Sequence, residues 1–163
     1  MTRLIGTLLA LMMLAACSSG PFLDYTADPL AVEPPGSPNW ALALPKEAGR
    51  EDVRTQDTPV YAISAEALLG HFDEIALADD RVEAIPSAER DALSRAYVQR
   101  SALFGFPDVI SVTALELGVG DAGTRASLAI YSRSIYGYSD LGVNQDRVGR
   151  WIEALDERAD RVR

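Results

Sequence analysis

Arginine, tyrosine, serine, aspartate and asparagine crowd into the stretch Tyr-Ser-Arg-Ser-Ile-Tyr-Gly-Tyr-Ser-Asp-Leu-Gly-Val-Asn at positions 131–144. Arg133 stands between two serine hydroxyls, with Tyr131, Tyr136 and Tyr138 close by. A guanidinium beside hydroxyls and the free amides of a helix starting at Asn144 could hold a carboxylate or phosphate through charge-assisted hydrogen bonds. The opposing account is structural. Serine and aspartate side chains satisfy turn amides, tyrosines pack, and Gly137 and Gly142 supply backbone freedom. No nucleophile paired with a base, no metal-ligand spacing and no phosphate-cradling loop can be assembled from these residues. No catalytic residue, metal or cofactor is therefore expected.

Arg100 raises a second question. It occupies the even-numbered, apolar phase of its segment, between Val98 and Ala102. A guanidinium in a core must be paired or reach a cleft, because a buried lone charge costs several kcal/mol. Asp140, Asp108 and Glu153 are the partners that the layout offers, so Arg100 either ties the loop to the sheet or opens on an anion site. A rival reading makes the protein a hydrolase-type enzyme with a polar site around Arg133, Tyr138 and Asp140. Asp140 and His71, the sole histidine, would do its acid–base work while Arg133 stabilises charge. His71 otherwise reads as a boundary residue on the flank of an apolar helix face.

The elements that must position these groups follow from periodicity. Residues 60–63 suggest a short strand. Ser64 can cap a helix that places Leu68, Leu69, Phe72, Ile75 and Ala76 on one face. A strand is expected at 81–85, then a meander at about 92–104, 108–117 and 124–134. The apolar phase is even throughout: Ala96, Val98, Ala102 and Phe104; Ile110, Val112 and Ala114; Ala126, Leu128 and Ile130. Antiparallel partners then sum to an even number, so both loops should hold an odd number of residues, with Gly105-Phe106-Pro107 setting Phe104 opposite Asp108. Asn144 is placed as N-cap of a last helix carrying Val148, Trp151, Ile152, Leu155, Ala159 and Val162. The expected fold is α+β: an antiparallel sheet of four to five strands whose single apolar face is covered by two amphipathic helices.

Ahead of this domain, assigned to residues 58–163, lies a different kind of sequence. Arg3 is followed by an unbroken apolar or small run at 4–16, too short for a span of about 20 residues but suited to a signal peptide. It closes on Leu14-Ala15-Ala16-Cys17, which resembles the bacterial lipobox. Residues 1–16 are thus expected to be cleaved and Cys17, the only cysteine, to be acylated. Two or more acyl chains, at about 0.8 kcal/mol per buried methylene, give stable anchoring. Ser18 after the cysteine favours the periplasmic face of the outer membrane. From 17 to 57, six prolines (21, 29, 34, 35, 38 and 45) suggest a tether, within which Trp40 could dock on the domain. The formal charge of −9 opposes nucleic acid as a partner. The partners expected are the membrane, through Cys17, and either an envelope protein or a small anionic ligand.

Residues 100–108 (Arg-Ser-Ala-Leu-Phe-Gly-Phe-Pro-Asp), with Ser132-Arg133-Ser134, Gly137-Tyr138-Ser139-Asp140, Leu141-Gly142-Val143-Asn144, Arg147 and Trp151, resemble the bacterial family known as domain of unknown function 1499. Ser37-Pro38-Asn39 is similar to that family's N-terminal segment. The resemblance covers roughly residues 37–157. It departs from the family pattern at Trp40, where members often carry Cys, and at Ile135, where they often carry a basic residue. It implies an envelope-associated protein without an established reaction or ligand, and it groups Arg100, Arg133, Tyr138, Asp140 and Asn144 as one binding site or one structural bridge.

Overall fold

The computed structural model describes residues 22–86, 91–120 and 123–162. The leader and Cys17 fall outside the described residues. Six strands form one sheet: β1 (Trp40–Leu44), β2 (Gln56–Asp57), β3 (Val82–Ala84), β4 (Ser94–Arg100), β5 (Pro107–Gly120) and β6 (Gly123–Ser134), in the order β2-β1-β6-β5-β4-β3. Two helices, α1 (Ala65–Ala78) and α2 (Val143–Asp156), complete an α+β architecture. The expected meander is present in β3 to β6. The sheet nevertheless has six strands and is mixed, because β1 and β2 run parallel.

The helices bury the stripes that their sequences define. Ser64 accepts a hydrogen bond from the Ala67 amide at 3.3 Å, and α1 turns Leu68, Leu69, Phe72, Ile75 and Ala76 inward. Trp151 of α2 sits edge-on to Phe72, with ring centroids 5.5 Å apart, and against Tyr97 of β4 at 6.3 Å. Such aromatic pairs add about 0.5–1.5 kcal/mol each beyond area burial. The polar rims of these rings are used as well: Trp151 Nε1 donates to Asp79 at 2.9 Å and the Tyr97 hydroxyl to Asp73 at 2.8 Å.

Tyr97 lies on this face because the register of β4 differs from the expected one. Arg100 pairs with Pro107 and Gln99 with Asp108, so partner numbers sum to an odd value and the connecting loop holds the six residues 101–106. Ser101 closes it: its amide donates to the Phe106 carbonyl and its hydroxyl accepts from the Phe106 amide, with Gly105 at φ +65°. The parity flip sends Ala96, Val98 and Arg100 to the opposite face. The β5/β6 pair keeps the expected even sum from Asp108↔Ser134 to Glu116↔Ala126, and a bulge between Glu116 and Val119 then shifts it to the odd sum of Val119↔Thr124.

That opposite face is buried too, which corrects the tether reading for residues 40–57. Ala41, Leu42, Ala43 and Leu44 have no exposed surface, and β1 inserts between β2 and β6. Ala41 and Ala43 join the helix-side core. Leu42 and Leu44 pack with Ala129 and Tyr131 under Ala27, Leu30, Val32 and Val53. Arg50 fastens this cover by donating to the carbonyls of Leu30 and Val32 at 2.9 and 2.7 Å. Residues 60–63 form no strand; Tyr61 makes isolated bridges to Ala126 and Arg161.

Two buried tyrosines set an alkaline limit on this packing. Burial raises the Tyr61 phenol above its ordinary value, as do its hydrogen bond to Asp156 at 2.9 Å and that carboxylate's charge. Burial also raises Tyr131, against the opposing pull of Arg133. Both folded-state values exceed the unfolded value of about 10, so above that pH the unfolded chain has lost protons that the folded chain keeps. Stability is fully present below about pH 10 and falls beyond it, with a limiting slope of about 1.4 kcal/mol per pH unit for each tyrosine. Melting temperature followed from neutral pH to about pH 11 should drop for the native chain and drop less for the Tyr61→Phe, Tyr131→Phe double variant.

Candidate functional site at the loop end of the sheet

At the end of the sheet where β4 passes to β5 and β6 runs towards α2, the polar residues divide between its two faces. The helix side holds a closed network around Arg147. Its side chain is 2% exposed. Nη2 donates to Asp108 Oδ2 at 2.6 Å, Nη1 donates to Ser132 Oγ at 2.9 Å and to Asn144 Oδ1 at 2.8 Å, and Nε donates to Gln99 Oε1. Asp108, Gln99 and Ser132 face it because the β4/β5 and β5/β6 registers align Gln99, Asp108 and Ser134 across three strands. A buried charge is tolerable when it is paired and hydrogen-bonded, and here each of the three guanidinium nitrogens has a partner.

Asn144 continues the network. It is fully buried, accepts from Ser132 Oγ at 2.6 Å, and its Nδ2 donates to Asp140 at 2.7 Å, to Ser134 Oγ at 3.1 Å and to the Asn39 carbonyl at 3.2 Å. Asn39 in turn donates from Nδ2 to the Gly137 carbonyl at 2.8 Å and accepts from Ser37 Oγ. The Ser-Pro-Asn segment and the Gly137–Asn144 loop are thereby tied together although nearly 100 residues apart in sequence. Asn144 is not the helix cap. Asp140 performs that service, accepting from the Gly142 and Asn144 amides at 3.0 and 2.8 Å, while Gly142 takes the N-cap position at φ +87°.

Of the residues singled out from sequence, Asp140 and Asn144 meet here; Arg100 and Arg133 do not. Both arginines lie on the other face, where each guanidinium sits over an aromatic ring. Arg100 Cζ is 5.2 Å from the centre of Phe22, and Arg133 Cζ is 5.5 Å from the centre of Tyr25. These are cation–π contacts with the cover that precedes β1. Arg100 also reaches the Gly105 carbonyl at 3.4 Å, and it pairs with none of Asp140, Asp108 or Glu153. Arg133 Nε and the Tyr131 hydroxyl are buried with no hydrogen-bond partner among the described residues. Tyr138 is 74% exposed. His71 is half-buried on α1, and the carboxylate of Asp140 is taken up by Gly142 and Asn144.

The guanidinium that does enter the helix-side core is Arg147. Its signal was present in the sequence: Asn144, Arg147, Val148, Trp151, Ile152 and Leu155 follow helical spacing, so the apolar stripe of α2 carries an arginine and an asparagine at its start. Among the described residues no group of three or more His, Cys, Asp or Glu is arranged to hold a metal ion, and no helix is long and apolar enough to cross a membrane.

Outside this network the loop end is apolar. Leu103 and Phe104 are 81% and 70% exposed, and the Phe104 and Phe106 rings stack at 5.5 Å, with Tyr136 edge-on to Phe106 at 6.2 Å. The loop end thus combines a buried, hydrogen-bonded polar network with an apolar outer surface. No curated protein and no solved structure matches the chain. One family model does, that of a protein of unknown function (DUF1499), over residues 25–155. Matched over most of its length, the chain belongs to the DUF1499 family.

Proposed function

We propose that the protein is a lipid-anchored envelope lipoprotein, held at the periplasmic face of the outer membrane, whose α+β domain is a non-enzymatic binding or scaffolding module. The observation that carries this reading is the run Leu14-Ala15-Ala16-Cys17 closing an apolar leader of signal-peptide length. The domain's chemistry is consistent with it. The buried polar groups near the loop end, Arg147, Asn144 and Asp108 among them, hydrogen-bond to each other and to Ser132, Gln99 and Asp140. Arg100 and Arg133 face aromatic rings, which favours another envelope component over a small anion as the bound partner.

Cys17→Ser removes the acylated thiol and leaves the domain unaltered. Expressed with its leader in a bacterial host, the variant should leave the membrane fraction and appear in the soluble periplasmic fraction, while the native chain stays with the membrane. An unchanged membrane fraction would reject the anchor.

A further inference from the structure

The exposed apolar surface at the loop end has a composition out of keeping with the rest of the chain. Residues 101–107 contain no charge, and between Ser134 and Gln145 the single charge is Asp140, whose carboxylate is turned onto backbone amides. The chain as a whole is 24% charged. Exposed loops ordinarily carry charge, and contiguous exposed apolar patches mark contact with a membrane or another protein. Here the two loops present Leu103, Phe104, Phe106, Tyr136, Tyr138 and Leu141, the last 93% exposed. Phenylalanine and leucine beside tyrosine is the mixture found where a protein meets the headgroup and acyl boundary of a bilayer.

The course of the chain points to the same occupant. Phe22 begins the described N-terminal segment; its ring lies under Arg100, and Arg100 donates to Gly105 in the first of the two loops. Cys17 is five residues earlier, so even fully extended chain puts its sulfur-bearing residue within about 18 Å of Phe22. A lipid on Cys17 would bring the membrane to this end of the sheet rather than to the helices. We infer that the Phe104/Tyr136 surface rests at the headgroup and acyl boundary of the bilayer leaflet that holds the Cys17 anchor, so that the domain lies on the membrane with its loop end down. This inference depends on the acylation of Cys17 proposed above.

Phe104→Trp places a reporter at an exposed ring position without disturbing the core. The acylated full chain, native and variant, is reconstituted in phosphatidylcholine vesicles with and without brominated acyl chains, and the native emission from Trp40 and Trp151 is subtracted. The extra tryptophan should emit to the blue of its position in detergent-free buffer and lose intensity against brominated lipid. Emission that stays at the water-exposed wavelength and is unquenched, on protein whose N-terminal peptide carries its acyl mass, would overturn the docked surface and leave the anchor standing. An N-terminal peptide without acyl mass would overturn both. A blue shift that grows with protein concentration in the absence of lipid would overturn membrane docking in favour of a second copy of the chain.

Discussion

A chain beginning at Thr58 is expected to lose the cooperative fold, whereas one beginning at Phe22 is expected to keep it. The Pro-rich composition of residues 17–57 suggests that the longer deletion is harmless. β1 makes it destructive. Leu42 and Leu44 have no exposed surface, and each such leucine contributes about 1.5–3 kcal/mol by burial alone. Removal also opens β6, which β1 pairs from Trp40↔Arg133 to Ala43↔Ile130, and strips the cover from Ala129 and Tyr131. An unpaired apolar edge of this kind aggregates. Against a domain stability on the order of 5–15 kcal/mol, these combined losses leave little or nothing. Thermal unfolding followed by circular dichroism separates the two chains; a sharp transition from the Thr58 chain would refute the role assigned to β1.

Arg147→Met should be the most damaging single substitution in the loop-end network. Methionine roughly fits the volume but leaves the Asp108 carboxylate with no guanidinium, and it deprives Ser132, Gln99 and Asn144 of a donor. Breaking a buried pair by removing one partner costs about 3–5 kcal/mol because the other charge stays behind uncompensated. Urea denaturation should show a lower midpoint with little change in slope. Arg100→Met is the contrasting variant. Its guanidinium sits over Phe22 on the other face and pairs with no carboxylate among the described residues, so about 0.5–1 kcal/mol is the expected loss. Adding Asp108→Asn to Arg147→Met should restore part of the stability, since the uncompensated charge is then gone. Equal losses for Arg100→Met and Arg147→Met would contradict the division of the two faces.

The exchange of Arg100 for Arg147 shows why the site was only partly legible. In β4 both phases are apolar, Ala96 and Val98 on one side and Tyr97 on the other, so alternation cannot say which faces the helices. The answer depends on whether the following loop holds three residues or six, a matter of how Ser101 and Gly105 close it. The shift in pairing by five residues, an odd number, from Phe104 to Gln99 opposite Asp108, carries Arg100 from core to opposite face and delivers Gln99 beside Asp108 to Arg147 in its place. Asp140 and Asn144 were found together because they are four residues apart at a helix start, a relation local enough to read directly. Their roles were exchanged, since the cap fell to the residue whose carboxylate could reach two amides.

Residues 40–44 failed as a sequence signal for a related reason. Trp-Ala-Leu-Ala-Leu is a strand buried on both faces, so it shows a short apolar run without alternation, and Pro38 and Pro45 on either side resemble linker punctuation. What the amino-acid sequence determined by itself was what repeats locally: two amphipathic helices with their inward stripes, the Ser64 cap, three long strands, and an α+β class. What only the tertiary structure decided was the partnership of distant segments: β1 in the interior of the sheet, the parity of β4, and Arg147 rather than Arg100 as the buried cation. Helical stripes and caps depend on residues three or four apart, whereas strand pairing and a buried ion pair join groups that chain spacing leaves unrelated until the sheet closes.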